Sequence, residues 1–195
     1  MFDVFLGLVL LFVSLFATYY ANSYTVIHAS NSVTDILLDN LPIVNVDLIY
    51  SEGALLFIII IGIILFIEPR RIPFTLKSIS IFFLTRSFFM VMTHVAPPAN
   101  ALYIQGEDIF HRISSGDDLF FSAHTGLPFL LTLIFWNEKY LKYFFLFSAL
   151  IGGTAVLLGH LHYSIDVFSA VFITFGVFQI SKWLFNRDYL MMRAP

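Results

Sequence analysis

Long apolar runs alternate with short polar stretches along the chain. The apolar runs cover residues 5–20, 51–67, 74–95, 119–136, 140–158 and 165–185. A helix needs about 20 apolar residues to cross the hydrocarbon core of a bilayer, and fewer when its polar ends lie in the interface. The pattern therefore predicts an all-α integral membrane bundle of six transmembrane helices. A further short interfacial helix is expected at 35–39, ending near Pro42.

The composition agrees with a membrane protein. Of the 195 residues, 59% are hydrophobic and 12% are charged, whereas an average soluble domain has about 25% charged residues. For an integral membrane protein of this length, we expect a single transmembrane domain over residues 1–195. The sequence contains no internal repeat of fixed period. The absence of cysteine excludes disulfides, thiolate chemistry and Cys-ligated zinc or iron–sulfur clusters.

Lysine and arginine fall on one side of the predicted zigzag of helices. The residues on this side are Arg70, Arg71, Lys77, Lys139, Lys142, Lys182, Arg187 and Arg193, and the opposite side has Arg112. Because cytoplasmic loops carry the excess of basic residues, both termini are predicted to be cytoplasmic. The start Met1-Phe2-Asp3 lacks Lys and Arg, which favours a retained helix over a cleaved signal peptide. The polar stretches on the other side then face the exoplasm, the periplasm or a lumen.

Two of those outward polar stretches carry candidate catalytic residues. His162 and Asp166 are four residues apart, a spacing that places both on one face of a helix. A neutral imidazole can attack phosphorus through one nitrogen while a carboxylate holds the N–H of the other. His124, within Ser122-Ala123-His124-Thr125, can protonate a leaving oxygen. The alternative is that these side chains only make polar contacts between helices or at the interface.

Other polar residues are candidate phosphate ligands. Arg86 lies inside the third apolar run, where a charge marks a functional site by default, and a guanidinium suits a phosphate. Its alternatives are to snorkel or to pair with Asp117 or Asp118. Backbone N–H groups at the start of the fourth run can also bind an anion. The candidate substrate- or phosphate-binding residues are Arg86, Ser122, Thr125, Asp118, His160 and Tyr163.

A metal site is a weaker interpretation of the histidines. It would need His94, His111, His160 and His162 to converge, without any help from cysteine. We therefore expect no metal and no cofactor. His28 is expected at the surface.

Three stretches resemble the sphingomyelin synthase family, a branch of the PAP2-like superfamily of lipid phosphatases and phosphotransferases. Residues 118–125, Asp-Leu-Phe-Phe-Ser-Ala-His-Thr, are similar to the family's Gly-Asp-x-x-x-Ser-Gly-His-Thr. Residues 159–167 are similar to its His-x-His-Tyr-Thr-x-Asp-Val, and the run from Arg86 to Pro97 resembles its Arg-x-x-x-Met-x-x-Thr before a proline. The resemblance covers the second to sixth apolar runs and implies a PAP2-like catalytic core at about 72–186.

The chain departs from the family pattern at several positions. Ala123 replaces a Gly, Asp117 stands where Gly is expected, and Asn40-Leu41-Pro42 matches a Pro-Leu-Pro-Asp stretch only in part. Val156 stands six residues before His162, where ordinary PAP2 phosphatases have an Arg. This last departure disfavours a plain phosphatase.

The resemblance implies an activity and its partners. His162 would form a phospho-histidine, Asp166 would hold it, and His124 would act as the acid for the leaving alcohol. The expected reaction moves a phospho-headgroup, such as phosphocholine or phosphoethanolamine, from a glycerophospholipid donor to a ceramide-like lipid alcohol. The alternatives are a lipid phosphatase or phospholipase C-like hydrolase on the same site, and a non-catalytic transporter or scaffold. No nucleic-acid partner is expected, and a homo-oligomer stays open.

Overall fold

The computed structural model describes residues 2–102 and 120–193, and the regular elements within these ranges are helical. The helices are α1 Phe2–His28, α2 Gly53–Ile67, α3 Ile72–Met92, α4 Ala123–Ile134, α5 Lys139–Leu158, α6 Ser164–Leu184 and α7 Asn186–Arg193. A π-helical turn, Leu48–Glu52, leads directly into α2, and 3-10 turns lie at Leu38–Asn40 and Pro69–Arg71.

The prediction of an all-helical membrane bundle is confirmed, and the count of six spans is approximate. The helices long and apolar enough to cross a membrane are Phe2–His28, Leu48–Ile67, Pro69–Met92, Lys139–Leu158 and Ser164–Leu184. The fourth predicted run, 119–136, is represented by α4, which has 12 residues. It begins late because Phe120 has a positive φ of 72° and Ser122 is extended, so neither can belong to the helix.

Helix α1 is longer than the apolar run 5–20 that predicted it. Along it, buried polar residues recur at spacings of three or four: Ser14, Thr18, Asn22 and Thr25. This spacing puts them on one face, and that face packs on α3, where the Thr18 hydroxyl lies 3.0 Å from that of Ser87. The polar residues beyond Tyr20 therefore continue the helix, because α3 shields them from lipid.

The prediction of an interfacial helix at 35–39 is wrong. A single 3-10 turn, Leu38–Asn40, forms there instead. The Asp35 carboxylate accepts the backbone N–H groups of Leu37 at 2.9 Å and Leu38 at 3.2 Å. Such local bonds from a side chain to the backbone compete with helix formation.

An aromatic core joins α3, α4, α5 and α6. Its fully buried members include Phe82, Phe121, Leu130 and Phe145. The rings of Phe82 and Phe121 meet edge to face at 5.3 Å, a favourable geometry for aromatic pairs. Phe121 is the residue before Ser122, so this contact fixes the backbone at the start of α4.

The basic turns of the chain meet at one end of the bundle, here called the basic end. Arg71 donates to Glu68 and, at 2.6 Å, to Glu138, which joins the turn before α3 to the turn before α5. Lys77, buried in α3, donates to Asp188 on α7 at 2.5 Å and lies 3.5 Å from Asp3 on α1. These ion pairs gather the first residues of α1 and α3 and the last helix at the same end.

Candidate active site

The turn between α5 and α6 brings His162 and Asp166 together. Helix α6 begins at Ser164 with Tyr163 as its N-cap, so His162 precedes the helix. The prediction that His162 and Asp166 share one helical face is therefore wrong. They meet because the Asp166 carboxylate turns back over the helix start. Its Oδ2 accepts the N–H of Tyr163 at 3.0 Å and lies 3.4 Å from His162 Nδ1.

The pair is buried and only loosely engaged. His162 and Asp166 are each 2% exposed. Among the residues that the structure describes, His162 Nδ1 has no hydrogen-bond partner, because its approach to Asp166 Oδ2 is a contact without hydrogen-bond geometry. Hydrogen bonds of catalytic groups are often long in the free protein and tighten around substrate. The arrangement can thus become a histidine–carboxylate pair with a small movement.

A backbone bond joins this pair to the second candidate stretch. The N–H of Ser122 donates to the carbonyl oxygen of Asp166 at 3.0 Å. Helix α4 begins at the next residue, so His124 lies in its first turn. The two stretches that the sequence singled out therefore meet at the end of the bundle opposite the basic end.

Tyr50 covers His124, a contact that no local pattern in the chain predicts. The two rings stack with their centroids 4.2 Å apart and their planes inclined by 26°, and His124 Nε2 lies 3.3 Å from the Tyr50 carbonyl oxygen. Tyr50 belongs to the π-helical turn before α2, where its N–H donates to Val46 O at 2.9 Å. The Tyr50 ring therefore shields one face of the His124 ring.

Arg86 lies behind the start of α4. Its side chain is 2% exposed, its Nε donates to the Phe121 carbonyl oxygen at 3.0 Å, and its Nη1 approaches Met90 Sδ at 3.3 Å. The guanidinium is thus held within one residue of Ser122. The alternative pairing with Asp117 or Asp118, and Asp118 as a ligand, fall outside the residues that the structure describes.

Ser122 and Thr125 differ in their surroundings. Both hydroxyls are buried and lack a hydrogen-bond partner within residues 2–102 and 120–193. Thr125 faces α5, since a Cβ placed on Gly153 would lie 3.1 Å from its Oγ1. Ser122 is the N-cap of α4, two residues before His124. A buried hydroxyl without a partner requires an explanation, such as a ligand.

His160 and Tyr163 hold a covering segment in place. This segment, residues 29–47, connects α1 to the turn before α2 and is called the strap. His160 has a left-handed backbone, with φ 52°, and its Nε2 lies 3.3 Å from Leu41 O. The Tyr163 hydroxyl donates to Ala96 O at 2.9 Å and accepts the N–H of Val33 at 3.1 Å. Burial raises the pKa of Tyr163, so this hydroxyl keeps its proton.

Asp35 is a second residue that sequence reasoning missed. Its Oδ2 accepts the N–H of Ser164, the first residue of α6, at 2.7 Å. A carboxylate is favoured there because the N-terminus of a helix carries a partial positive charge. Burial raises the pKa of Asp35, but the N–H groups of Ser164, Leu38 and Leu37 outweigh it and leave the pKa below its ordinary value. The strap is thus fastened to the helix that carries Asp166.

We expect Asp35→Asn to lower the melting temperature at neutral pH and to have little effect in acid. Because the folded pKa is depressed, the contribution of the charged group is present above the ordinary value of 3.8 and is lost as the pH falls through the folded pKa. Thermal unfolding of both proteins between pH 7 and pH 3 measures the difference. Asp39→Asn, at an exposed position of the same turn, is the control. A difference independent of pH would contradict the assignment.

We expect Gly152→Ala to damage the site from the α5 side. A Cβ there would lie 2.3 Å from the carbonyl oxygen of His124, which is backbone and cannot turn aside. Overpacking of this kind costs about 1–3 kcal/mol, and the shift of α4 would misplace His124. Melting temperature and activity should both fall. Gly62→Ala on α2 is the matched control, because nothing lies within 4 Å of its added Cβ, and it should be neutral or stabilising.

The histidines raised as metal ligands are dispersed. His94 lies beside His28, with ring centroids 5.9 Å apart, while His160 faces Leu41. His111 falls outside the described ranges. Within those ranges no group of three His, Asp or Glu side chains is arranged to hold a metal ion.

The fold and the site describe a multi-pass helical membrane protein in which His162 and Asp166 are buried, and His124 is half-buried, near the starts of two helices. Residues 116–183 match the family model described as PAP2 superfamily C-terminal, which is about one third of the chain and includes His124, His162 and Asp166. No curated protein matches the chain, and no solved structure does. The family match supports the PAP2-like superfamily and a phosphatase- or phosphotransferase-like lipid enzyme.

Proposed function

We propose that the protein is a lipid phosphotransferase that moves a phospho-headgroup from a glycerophospholipid to a lipid alcohol such as ceramide. The observation that carries this proposal is the buried contact of 3.4 Å between His162 Nδ1 and Asp166 Oδ2, tied through Ser122 to the start of α4. This arrangement supplies a histidine nucleophile, a carboxylate to orient it, and a second histidine from another helix.

In the first step, His162 Nε2 attacks the phosphorus of the donor. Asp166 holds the proton on Nδ1 and stabilises the positive charge that develops on the ring. The bond from phosphorus to the glycerol oxygen breaks, and protonated His124 gives its proton to that oxygen, so diacylglycerol leaves. Arg86, the Ser122 hydroxyl and the backbone N–H groups at the start of α4 bind the phosphate oxygens.

In the second step, neutral His124 takes the proton of the incoming hydroxyl group. The alcohol oxygen attacks phosphorus, the bond from phosphorus to His162 breaks, and the product keeps the headgroup. Burial of His162 and Asp166 and the cover provided by Tyr50 support transfer over hydrolysis, since water must be kept from the phospho-histidine. His160, Thr125 and Tyr163 face the strap and the helix interface, which favours a supporting role for them.

We also propose that the basic end is cytoplasmic and that the site faces the exoplasm, the periplasm or a lumen. The support is that Arg71, Glu138 and Lys77 belong to one end of the bundle, where basic residues concentrate. Both termini then lie on the cytoplasmic side, because Asp3 and α7 contact Lys77.

A hydrolase on the same site is the second candidate, because the matching family model belongs to a superfamily that includes lipid phosphatases. In that case water takes the place of the alcohol in the second step. The first step and its residues are unchanged.

Purified protein in liposomes with fluorescent ceramide and mixed phospholipids tests the proposal. A new polar ceramide product, absent with His162→Ala, is the expected result, and its headgroup identifies the donor. Release of phosphate, phosphocholine or phosphoethanolamine with ceramide unchanged would establish the hydrolase. An activity equal in the parent and in His162→Ala would refute both reactions on this site.

A further inference from the structure

A cavity lies at the basic end, remote from the histidines. Its volume is about 630 Å³, which is within the range of small-molecule binding sites. The turn before α3, the turn between α4 and α5, and the C-terminal helix α7 surround it. None of the residues in the reaction proposed above lines it.

The wall and the rim of this cavity differ in polarity. The wall includes Ile134, Phe178 and Met192, which are buried side chains of α4, α6 and α7. The rim carries Arg70 and Arg193, both exposed. A cavity with an apolar wall and a charged rim suits an amphiphile with an apolar chain and a polar head.

The charge of the rim favours an anionic head. Three arginines and two glutamates line the cavity, so the lining carries a net positive charge. Lys182 adds a cation nearby, with its Nζ 5.0 Å from the centroid of the Tyr189 ring that lines the cavity. Arg193 donates to the Tyr189 hydroxyl at 2.7 Å, which holds its guanidinium at the rim.

Exposed aromatic side chains show the depth at which the cavity opens. Trp136 lines the cavity and is 56% exposed, while Tyr140, Tyr143 and Trp183 are exposed near the same end of the bundle. Trp and Tyr concentrate at the boundary between the hydrocarbon core and water. The opening thus lies at the level of phospholipid headgroups.

We propose that this cavity binds the headgroup and upper chain of an anionic phospholipid from the leaflet at the basic end. The rim supplies guanidinium groups for the phosphate, and the wall of Ile134, Phe178 and Met192 accepts the start of an acyl chain. A free anion has no apolar part that could pack against that wall. The lipid is a bound ligand, distinct from the substrate at the histidines.

Binding of fluorescent phosphatidylglycerol to the protein in phosphatidylcholine nanodiscs tests the site. We expect Arg70→Gln/Arg193→Gln to weaken binding by about 10- to 30-fold. The control is Lys139→Gln/Arg187→Gln, which removes the same charge from exposed positions at the same end, outside the cavity. It should bind as the parent does. Equal weakening by both pairs would mean general surface attraction and would overturn the proposal.

Three further comparisons make the result specific. Leu133→Trp narrows the apolar wall without changing charge and should also weaken binding of phosphatidylglycerol. Inorganic phosphate should compete poorly; if it displaces the lipid as well as phosphatidylglycerol does, the ligand is a free anion and the proposal is wrong. His162→Ala should bind phosphatidylglycerol normally, so failure of the proposed reaction leaves this test intact.

Discussion

Replacing His162 with alanine should reduce activity by about 10⁴-fold or more, because removal of a nucleophile abolishes the covalent route. The other histidine of the turn, His160, is not placed to substitute for it, since it directs its Nε2 to Leu41 O at 3.3 Å. The measurement is the initial rate of headgroup transfer or release in liposomes. Trapping of acid-labile phosphate on the parent, absent in His162→Ala, would identify the phospho-histidine itself.

The matched control is His160→Asn. Asparagine tolerates the left-handed backbone at this position, where φ is 52°, so the turn should keep its shape. We expect this variant to retain most of its activity and to lose some stability through the weakened strap contact. If His160→Asn removed activity as fully as His162→Ala, the assignment of the nucleophile would be wrong.

Lys77→Ala should lower the free energy of unfolding by about 3–5 kcal/mol, the usual cost of removing one partner of a buried ion pair. Lys77 and Asp188 are 2% and 4% exposed, and their side chains meet at 2.5 Å. Without the ammonium group, the Asp188 carboxylate stays buried at the joint between α3 and α7. Thermal unfolding in detergent, followed by circular dichroism, measures the loss.

Two variants separate this ion pair from general charge effects. Lys77→Met/Asp188→Leu removes both charges and should regain most of the stability, since apolar replacements of a buried pair are often neutral. Lys139→Ala removes an exposed lysine at the same end and should change stability by less than about 0.5 kcal/mol. A loss as large for Lys139→Ala would contradict the role of the buried pair.

The sequence predicts the bounds of a helix well where the helix faces lipid. It predicts them less well where another helix covers a polar face. The bounds of α5 and α6 differ by a single residue from the predicted runs, because both runs end at polar turns. The end of α1 was misjudged, since Thr25 is polar but buried against α3. A hydropathy pattern measures contact with lipid or water and cannot register a polar face covered by another helix.

The site shows the same division. His124, His162 and Asp166 are candidates because each lies in a short polar stretch next to an apolar run, and the structure brings these stretches together through Ser122 and Asp166. Asp35 and Tyr50 were not found, because their bonds span 129 and 74 residues. No local spacing encodes such contacts. The spacing of His162 and Asp166 predicts that both lie on a helix, whereas α6 begins only after its N-cap, Tyr163, so His162 lies outside it.

The strap also bears on modularity. The region that matches the family model, 116–183, contains the candidate catalytic side chains but neither the acid that fastens α6 nor the ring that covers His124. A chimera that carries only this region into another scaffold would contain the candidate catalytic side chains without the residues that enclose them. In related chains, changes at the positions of Tyr50 and His124 should therefore be correlated, because their side chains stack. The candidate site would then depend on two distant parts of the chain whose residues change together during evolution.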